Sequence, residues 1–212
     1  NKSGYNKKIL IGYDPRDKAD KFANHIGLVL CSKGFEVEIS DKIVATPVLA
    51  YSALKKNSYA IMLTASHNPP EYLGIKFIPE YGGPAEDYMV KEIVDNLENE
   101  FKPKGHEGKL KRVSFEEDYL EHINKIINID KIKNSGININ YDGHHGAAAK
   151  LFERILNENG IKNTCQNMER DINFGGFMPD PKEKYLPELK KLCIKNARIG
   201  LSNDGDGDRF GV

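Results

Sequence analysis

The sequence has 212 residues, of which 39% are hydrophobic, and this is enough to bury one large core or two modest ones. Because the 31 basic side chains equal the 31 acidic ones, no overall positive field would draw the protein to nucleic acid or to an anionic membrane surface. Composition therefore argues against disorder and against both of these partners, and it favours a small ligand.

The cysteine pattern and the chain start bear on the compartment. Cys31, Cys165 and Cys193 are widely spaced, with neither a CxxC pattern nor a Cys/His metal spacing. An odd number of thiols in apolar segments is typical of a reducing compartment. No apolar run is long enough to cross a bilayer, and the first residues lack an apolar signal region. We therefore expect a cytoplasmic protein, and the missing initiator Met suggests a start within a longer chain.

The first half of the chain alternates between strand and helix patterns. Strands are predicted at 8–13, 35–39, 59–63 and 73–78, and helices at 17–33, 47–55 and 85–101. In the first helix, Phe22, Ile26, Val29 and Leu30 recur at helical spacing before Gly34, which is typical of a helix end. Strands that alternate with helices predict a largely parallel sheet covered on both faces.

The stretch 102–112 loses this periodicity and gains Gly, Pro and charge, which predicts a domain boundary. A second alternation begins with a helix pattern at 115–129. It continues with strands at 137–141, 161–165 and 198–202 and helices at 147–159 and 184–196. We therefore predict an α/β protein of two consecutive α/β domains, residues 1–112 and 113–212, with mixed, mostly parallel sheets covered by helices. The second domain is expected to be truncated at its C-terminal end.

The first chemically suggestive segment is Thr64-Ala-Ser-His-Asn-Pro69, directly after a predicted strand. Open α/β sheets bind ligands at the carboxyl ends of their strands. Ser66 offers a hydroxyl nucleophile, and His67 could move protons or hold a phosphate. An isolated Ser-His pair before Asn-Pro is nevertheless more often a plain turn.

The second segment is Ser202-Asn-Asp-Gly-Asp-Gly-Asp-Arg209, again directly after a predicted strand. Its three aspartates alternate with glycines, which permit the tight backbone needed to turn carboxylates toward one hard cation. Oxygen ligands favour Mg²⁺ over zinc or copper. An EF-hand loop would need Gly in place of Arg209 and a later Glu, so a metal-free acidic turn is the remaining alternative. A phosphorylated serine would add a further oxygen ligand, and the two segments together predict a phosphoryl-transfer site.

These segments, with several shorter ones, resemble the α-D-phosphohexomutases, the phosphoglucomutase and phosphomannomutase superfamily. In order along nearly the whole chain, the matching segments are IGYDPR (11–16), ATP (45–47), TASHNPPEYLGIKF (64–77), YDGHHG (141–146), PDP (179–181) and SNDGDGDR (202–209). TASHNP followed by NDGDGDR is a specific combination, whereas each short segment alone is weak.

The resemblance implies a role for each matching residue. The implied catalytic residues are Ser66 (the phosphoserine), His67 and Lys76 (proton transfer), the phosphate contact is Arg209, and the metal ligands are Ser66, Asp204, Asp206 and Asp208. Without the resemblance, Lys76 would be interpreted as a solvated lysine.

Other residues in the matching segments are expected to have no chemical role. The resemblance places His144 and His145 in a structural turn between a strand and a helix. Asp14 and Arg16 are expected to form a turn and a helix start near the site.

For the complete enzyme, the resemblance implies Mg²⁺-dependent interconversion of hexose 1-phosphate and hexose 6-phosphate through the phosphoserine and a hexose 1,6-bisphosphate. Glucose 1,6-bisphosphate or an equivalent would be the activator, and a phosphorylated hexose the substrate. Phosphoglucosamine mutase is the alternative within the superfamily, and a non-catalytic module that binds metal or phosphosugar is the alternative from another class. The resemblance also implies third and fourth domains and an earlier phosphate-contacting arginine, which we expect to lie outside residues 1–212. We therefore expect this chain alone to be inactive.

Overall fold

The computed structural model describes residues 8–99, 108–196 and 198–212. Within these ranges the chain forms two consecutive α/β units, each with a mixed, mostly parallel sheet, which confirms the predicted fold class. No helix in this part of the chain is long and apolar enough to cross a membrane.

The first sheet contains five strands: β1 (Lys8–Tyr13), β2 (Glu36–Ser40), β3 (Tyr59–Leu63), β4 (Ile75–Ile78) and β5 (Leu110–Val113). Their order across the sheet is β4-β3-β1-β2-β5, and only β4 runs antiparallel to its neighbour. Tyr13 at the end of β1 pairs with Leu63 at the end of β3. The loops that follow these two strands therefore begin side by side at the carboxyl end of the parallel strands.

Among the described residues, four helices accompany this sheet: α1 (Ala19–Ser32), α2 (Thr46–Lys56), α3 (Asp87–Asp95) and α4 (Glu116–Ile126). Of the apolar residues whose spacing predicted α1, Ile26 and Leu30 are partly buried and pack against the apolar cluster of the sheet, but none is fully buried. Small side chains such as Ala23 are buried, whereas Phe22 is 51% exposed. The reason is close packing, because a Cβ at Gly27 would lie 2.7 Å from Cδ1 of Ile39 in β2.

The segment between the two units differs from the predicted aperiodic linker. Residues 102–107 of that stretch lie outside the described residues, but Leu110–Val113 form β5 and pair with β2. The predicted division between residues 112 and 113 falls within this strand. A four-residue edge strand with two charged residues at its centre carries too few apolar positions to show a period.

The second sheet has the order β7-β6-β8-β9 and is parallel except for β9. Its elements are β6 (Ile139–Asp142), β7 (Asn163–Gln166), β8 (Ile199–Asn203) and β9 (Phe210–Gly211), with the helices α5 (Ile129–Asn134), α6 (Ala149–Glu158) and α7 (Pro187–Asn196). Asp142 pairs with Ser202, so the loops after β6 and β8 also begin side by side.

One apolar cluster joins the two units. It contains Met62 of β3, Leu120 of α4, and Ala148 and Leu151 at the start of α6. This apolar surface is removed from water only when the units touch. Its burial therefore holds the carboxyl ends of the strands in the two sheets near each other.

Candidate active site and metal centre

The serine loop, residues 64–74, connects β3 to β4. Ser66 is 7% exposed and has a φ of 54°, which is uncommon for a residue with a side chain. Its N–H donates to Oγ1 of Thr64 over 2.8 Å, and the Thr64 hydroxyl donates to Oδ2 of Asp14 over 2.6 Å. These hydrogen bonds hold the backbone at Ser66, so the fold sets the position of its hydroxyl.

The aspartate loop, residues 204–209, connects β8 to β9. One carboxylate oxygen from each of its three aspartates lies within 4.8 Å of the others. Gly207 has a φ of 76° and donates its N–H to the Asp204 carbonyl over 3.1 Å, so a glycine is needed at this turn. The loop carbonyls also accept N–H groups from the starts of two helices, from Thr46 to Asp206 and from Ala147 to Gly205. Both units therefore anchor it.

The two loops meet at the interface of the units. The Ser66 hydroxyl donates to Oδ2 of Asp204 over 2.9 Å, although the residues are 138 positions apart in sequence. A Cβ at Gly205 would lie only 2.7 Å from the Ser66 carbonyl oxygen, so the glycine permits this close approach. The structure thus brings the predicted nucleophile and the predicted metal ligands into one site.

The other predicted site residues lie around the aspartate loop. Lys76, on β4, places Nζ 2.7 Å from Oδ2 of Asp206 and 2.7 Å from Oδ2 of Asp208. It is therefore not the solvated surface lysine that its local sequence would suggest. Arg209 donates from Nη1 to Nδ1 of His67 over 2.6 Å, which joins the end of the aspartate loop to the serine loop.

The clustered charges perturb one another. Burial and the neighbouring Asp206 raise the pKa of Asp204 to about 7. Burial also acts to raise the pKa of Asp206, but the ammonium group of Lys76 outweighs it and lowers that pKa. Burial acts to lower the pKa of Lys76, but its two carboxylate partners, Asp206 and Asp208, outweigh burial and raise that pKa. At neutral pH the site thus combines a protonated lysine with an aspartate poised to lose a proton.

The aspartate cluster fits a hard cation. Oδ1 of Asp206 is buried and has no hydrogen-bond partner among the described residues. A buried carboxylate oxygen without a donor is costly, and a cation would compensate it. The donor set consists of oxygens alone, which suits Mg²⁺ and other hard divalent ions rather than zinc or copper.

A cleft of about 860 Å³ opens beside the cluster. Its polar lining residues include Thr46, Lys76, Asp208 and Arg209, and its apolar lining comes largely from β4 and α3. This volume lies in the range of small-molecule sites.

Sequence reasoning missed the residues that position the two loops. Thr46, in the segment ATP, donates from its hydroxyl to Oδ2 of Asp206 over 2.5 Å. Asp14 and Arg16, expected to form a turn without a chemical role, are a buried ion pair with a separation of 3.0 Å, and Asp14 holds Thr64. Burial raises the pKa of Asp14 to about 6. The sequence held one signal of this positioning role: Asp14 directly follows β1, the strand that neighbours β3.

The two histidines of YDGHHG lie in the loop between β6 and α6, outside the cluster around the aspartates. His144 is buried, and Nδ1 of His145 is 2.7 Å from the Glu169 carbonyl oxygen. Burial lowers the pKa of His144.

Sequence comparisons agree with this arrangement. The chain is 35% identical to the phosphoglucosamine mutase of Methanococcus vannielii, over 96% of this chain and 46% of that protein. It is 28% identical to the phosphoglucomutase of Komagataeibacter xylinus, over 99% of this chain and 43% of that protein. The chain thus spans a little under half the length of these relatives.

Structural comparison gives the same result. A provisionally assigned phosphomannomutase from Thermus thermophilus has a TM-score of 0.87 and 29% identity, over 96% of this chain and 47% of that one. Two consecutive family models match the sequence: phosphoglucomutase/phosphomannomutase alpha/beta/alpha domain I at residues 1–104 and domain II at residues 117–212. With both domains present in order, the chain belongs to the phosphoglucomutase/phosphomannomutase family.

Proposed function

We propose that the full-length gene product is a Mg²⁺-dependent phosphohexomutase in which Ser66 carries the phosphoryl group. The observation that supports this most directly is the 2.9 Å hydrogen bond from the Ser66 hydroxyl to Asp204. It joins a buried nucleophile to a three-carboxylate cluster that suits a hard cation. The family membership of both domains agrees with this chemistry.

In the proposed reaction, a hydroxyl oxygen of a hexose phosphate attacks the phosphorus of phospho-Ser66. The bond from phosphorus to Oγ of Ser66 breaks as the new P–O bond forms, and the hydroxyl proton passes to a base. The other phosphate of the resulting bisphosphate then returns to Ser66, so that the net change is an isomerisation. Mg²⁺, when bound by Asp204, Asp206 and Asp208, would neutralise charge on the transferred group.

The proton-transfer groups of this proposal are His67 and Lys76. Lys76 is protonated at neutral pH, as lysines ordinarily are, and the aspartates raise its pKa further. It is therefore suited to give a proton or to balance charge on the phosphoryl oxygens. Arg209 lines the cleft and offers its guanidinium to a phosphate.

The sugar is assigned only as a class. The cleft has room for a hexose phosphate, and relatives at similar identity are named for glucose and for glucosamine phosphates. We therefore propose a hexose phosphate substrate, with glucose 1,6-bisphosphate or its equivalent as activator. A glucosamine phosphate is the second candidate, supported by the 35% identical phosphoglucosamine mutase of Methanococcus vannielii.

The test is to incubate the full-length gene product with Mg²⁺ and glucose 1,6-bisphosphate and to locate the phosphate by peptide mass spectrometry. We expect label on Ser66, mutase turnover in a coupled assay, and loss of both in Ser66→Ala. Ser32→Ala is the matched control, since Ser32 is an exposed hydroxyl near the end of α1.

Two outcomes would contradict the proposal. Phosphate on Ser202, Ser52 or another hydroxyl would remove Ser66 from its role. Absence of both labelling and turnover with glucose, mannose and glucosamine phosphates would instead favour the alternative of a binding module without catalysis.

A further inference from the structure

Arg16 is the largest fully buried side chain in the described part of the chain, at 1% exposed. Its guanidinium reaches over the serine loop and donates to four backbone carbonyls. The acceptors are the carbonyl oxygens of Ser66 (2.7 Å), Asn68 (2.8 Å), Pro69 (2.6 Å) and Tyr72 (3.0 Å). The remaining donor, Nε, bonds Oδ2 of Asp14 over 3.0 Å. All five donors of an arginine are therefore used within the protein, and none is left for a phosphate.

The second unit packs on the same side chain. The Phe174 ring lies 5.1 Å from the guanidinium carbon, and Phe174 is itself buried with a φ of 50°. Arg170 donates to the carbonyl oxygens of Pro15 and Arg16 over 3.0 and 3.3 Å. Arg16 is thus enclosed by the serine loop, by Asp14 and by residues of the second unit.

The hydrogen bonds of Arg16 fix more than the stability of the fold requires. A buried ion pair contributes little net stability compared with apolar residues that pack well, so stability alone does not account for it. A planar fork of donors does, however, set the relative positions of several carbonyls in a way that apolar packing cannot. One of those carbonyls belongs to Ser66, whose hydroxyl meets Asp204.

We propose that Arg16 is a positioning residue for phosphoryl transfer, which holds Ser66 in line with the aspartate loop. This inference rests on the proposed function of Ser66. Arg16 does not touch the transferred group. It acts through the backbone of the serine loop, and through Phe174 it ties that loop to the unit that carries the aspartates.

The test is Arg16→Lys in the full-length gene product. Lysine keeps the charge but has three donors and no fork, so it cannot hold four carbonyls and Asp14 together. Because a misplacement of about 1 Å can cost roughly 100-fold in rate, we expect kcat to fall by about 10- to 100-fold, with KM within about threefold. The rate of Ser66 phosphorylation by glucose 1,6-bisphosphate should fall in parallel.

Arg112→Lys is the matched control. Arg112 also donates to a backbone carbonyl, that of Ser40, but it lies on β5 at the opposite edge of the sheet from β4. Rates are expressed per folded molecule, from the near-ultraviolet circular dichroism of each variant. A purely structural role for Arg16 would lower the melting temperature and leave kcat per folded molecule unchanged.

The outcomes separate this inference from the proposed function. If the protein without substitutions becomes phosphorylated on Ser66 and Arg16→Lys keeps its kcat, the positioning role is refuted while the proposed function stands. If the protein without substitutions does not become phosphorylated on Ser66, both the positioning role and the proposed function fail. If Arg16→Lys does not fold, Phe174→Leu removes only the ring over the guanidinium. That variant must lower kcat by about threefold at unchanged KM, and an unchanged kcat refutes the inference.

Discussion

Substitution of Gly205 by Ala perturbs the contact between the serine and aspartate loops without changing any predicted site residue. The added Cβ would lie 2.7 Å from the Ser66 carbonyl oxygen and 3.2 Å from Cγ of Pro179, whereas ordinary contact begins at 3.4 Å. The Ser66 carbonyl cannot easily move, because Arg16 donates to it over 2.7 Å. The loops must therefore separate by several tenths of an ångström.

The expected cost follows from this overlap. Overpacking of a well-packed site typically costs 1–3 kcal/mol, so we expect about 2 kcal/mol of stability to be lost. In a chain of 212 residues this corresponds to a fall in melting temperature of about 4–8 °C. Because Asp204 and Asp206 flank the substituted residue, their carboxylates shift with it. We expect Mg²⁺ affinity to fall roughly tenfold, as it does when the support of metal ligands is disturbed.

Scanning calorimetry gives the melting temperature of residues 1–212, and titration calorimetry gives the Mg²⁺ affinity. Gly83→Ala is the control, since its Cβ would meet only the half-exposed Tyr81 ring, which can rotate away. If Gly205→Ala matches Gly83→Ala in both measurements, the two loops do not approach as closely as the structure indicates, and the reasoning from this contact is wrong.

Three further predictions concern metal binding and turnover. Asp206→Asn should weaken Mg²⁺ binding about tenfold by titration calorimetry. Asp180→Asn changes a buried aspartate outside the cluster and should leave Mg²⁺ binding unchanged. Equal affinities of the two variants would count against Asp206 as a metal ligand. Because the folded chain retains the Asp204 proton from about pH 4 to about pH 7 and the unfolded chain does not, this group lowers metal-free stability as pH rises through that window. Mg²⁺ must displace the proton, so it should raise the melting temperature more at pH 8 than at pH 5.5, and a pH-independent shift would contradict this. Residues 1–212 alone should show no mutase turnover in a coupled assay with glucose or mannose 1-phosphate. The chain spans under half the length of its relatives, and about 7–11 kcal/mol of catalysis can depend on substrate positioning. Turnover near that of a full-length relative would refute this prediction.

Local sequence was sufficient to locate most of the elements and to suggest a chemistry for the two loops. Apolar runs such as Lys8–Tyr13 and Tyr59–Leu63 are strands at the predicted residues, because a short buried strand needs only a continuous apolar segment. The serine and aspartate loops each follow a strand, and ligands bind at the carboxyl ends of strands in such sheets. The pattern of carboxylates and glycines in the aspartate loop already indicates a hard cation.

Local sequence was not sufficient where a position depends on a distant partner. The face of α1 that packs most closely on the sheet is set by how closely Gly27 lets the helix approach Ile39, so the apolar spacing that predicted the helix does not by itself identify that face. The edge strand β5 forms because β2 offers it a partner, although its own four residues show no period.

The site itself was decided by tertiary structure. The sequence alone determined that a serine and three aspartates follow strands, but these lie in separate α/β units and no local propensity relates them. Their meeting depends on a shared apolar cluster and on a glycine that lets two backbones approach. Arg16 illustrates the same limit: its role comes from carbonyls 50 to 56 positions away, which only the packed fold brings to its guanidinium.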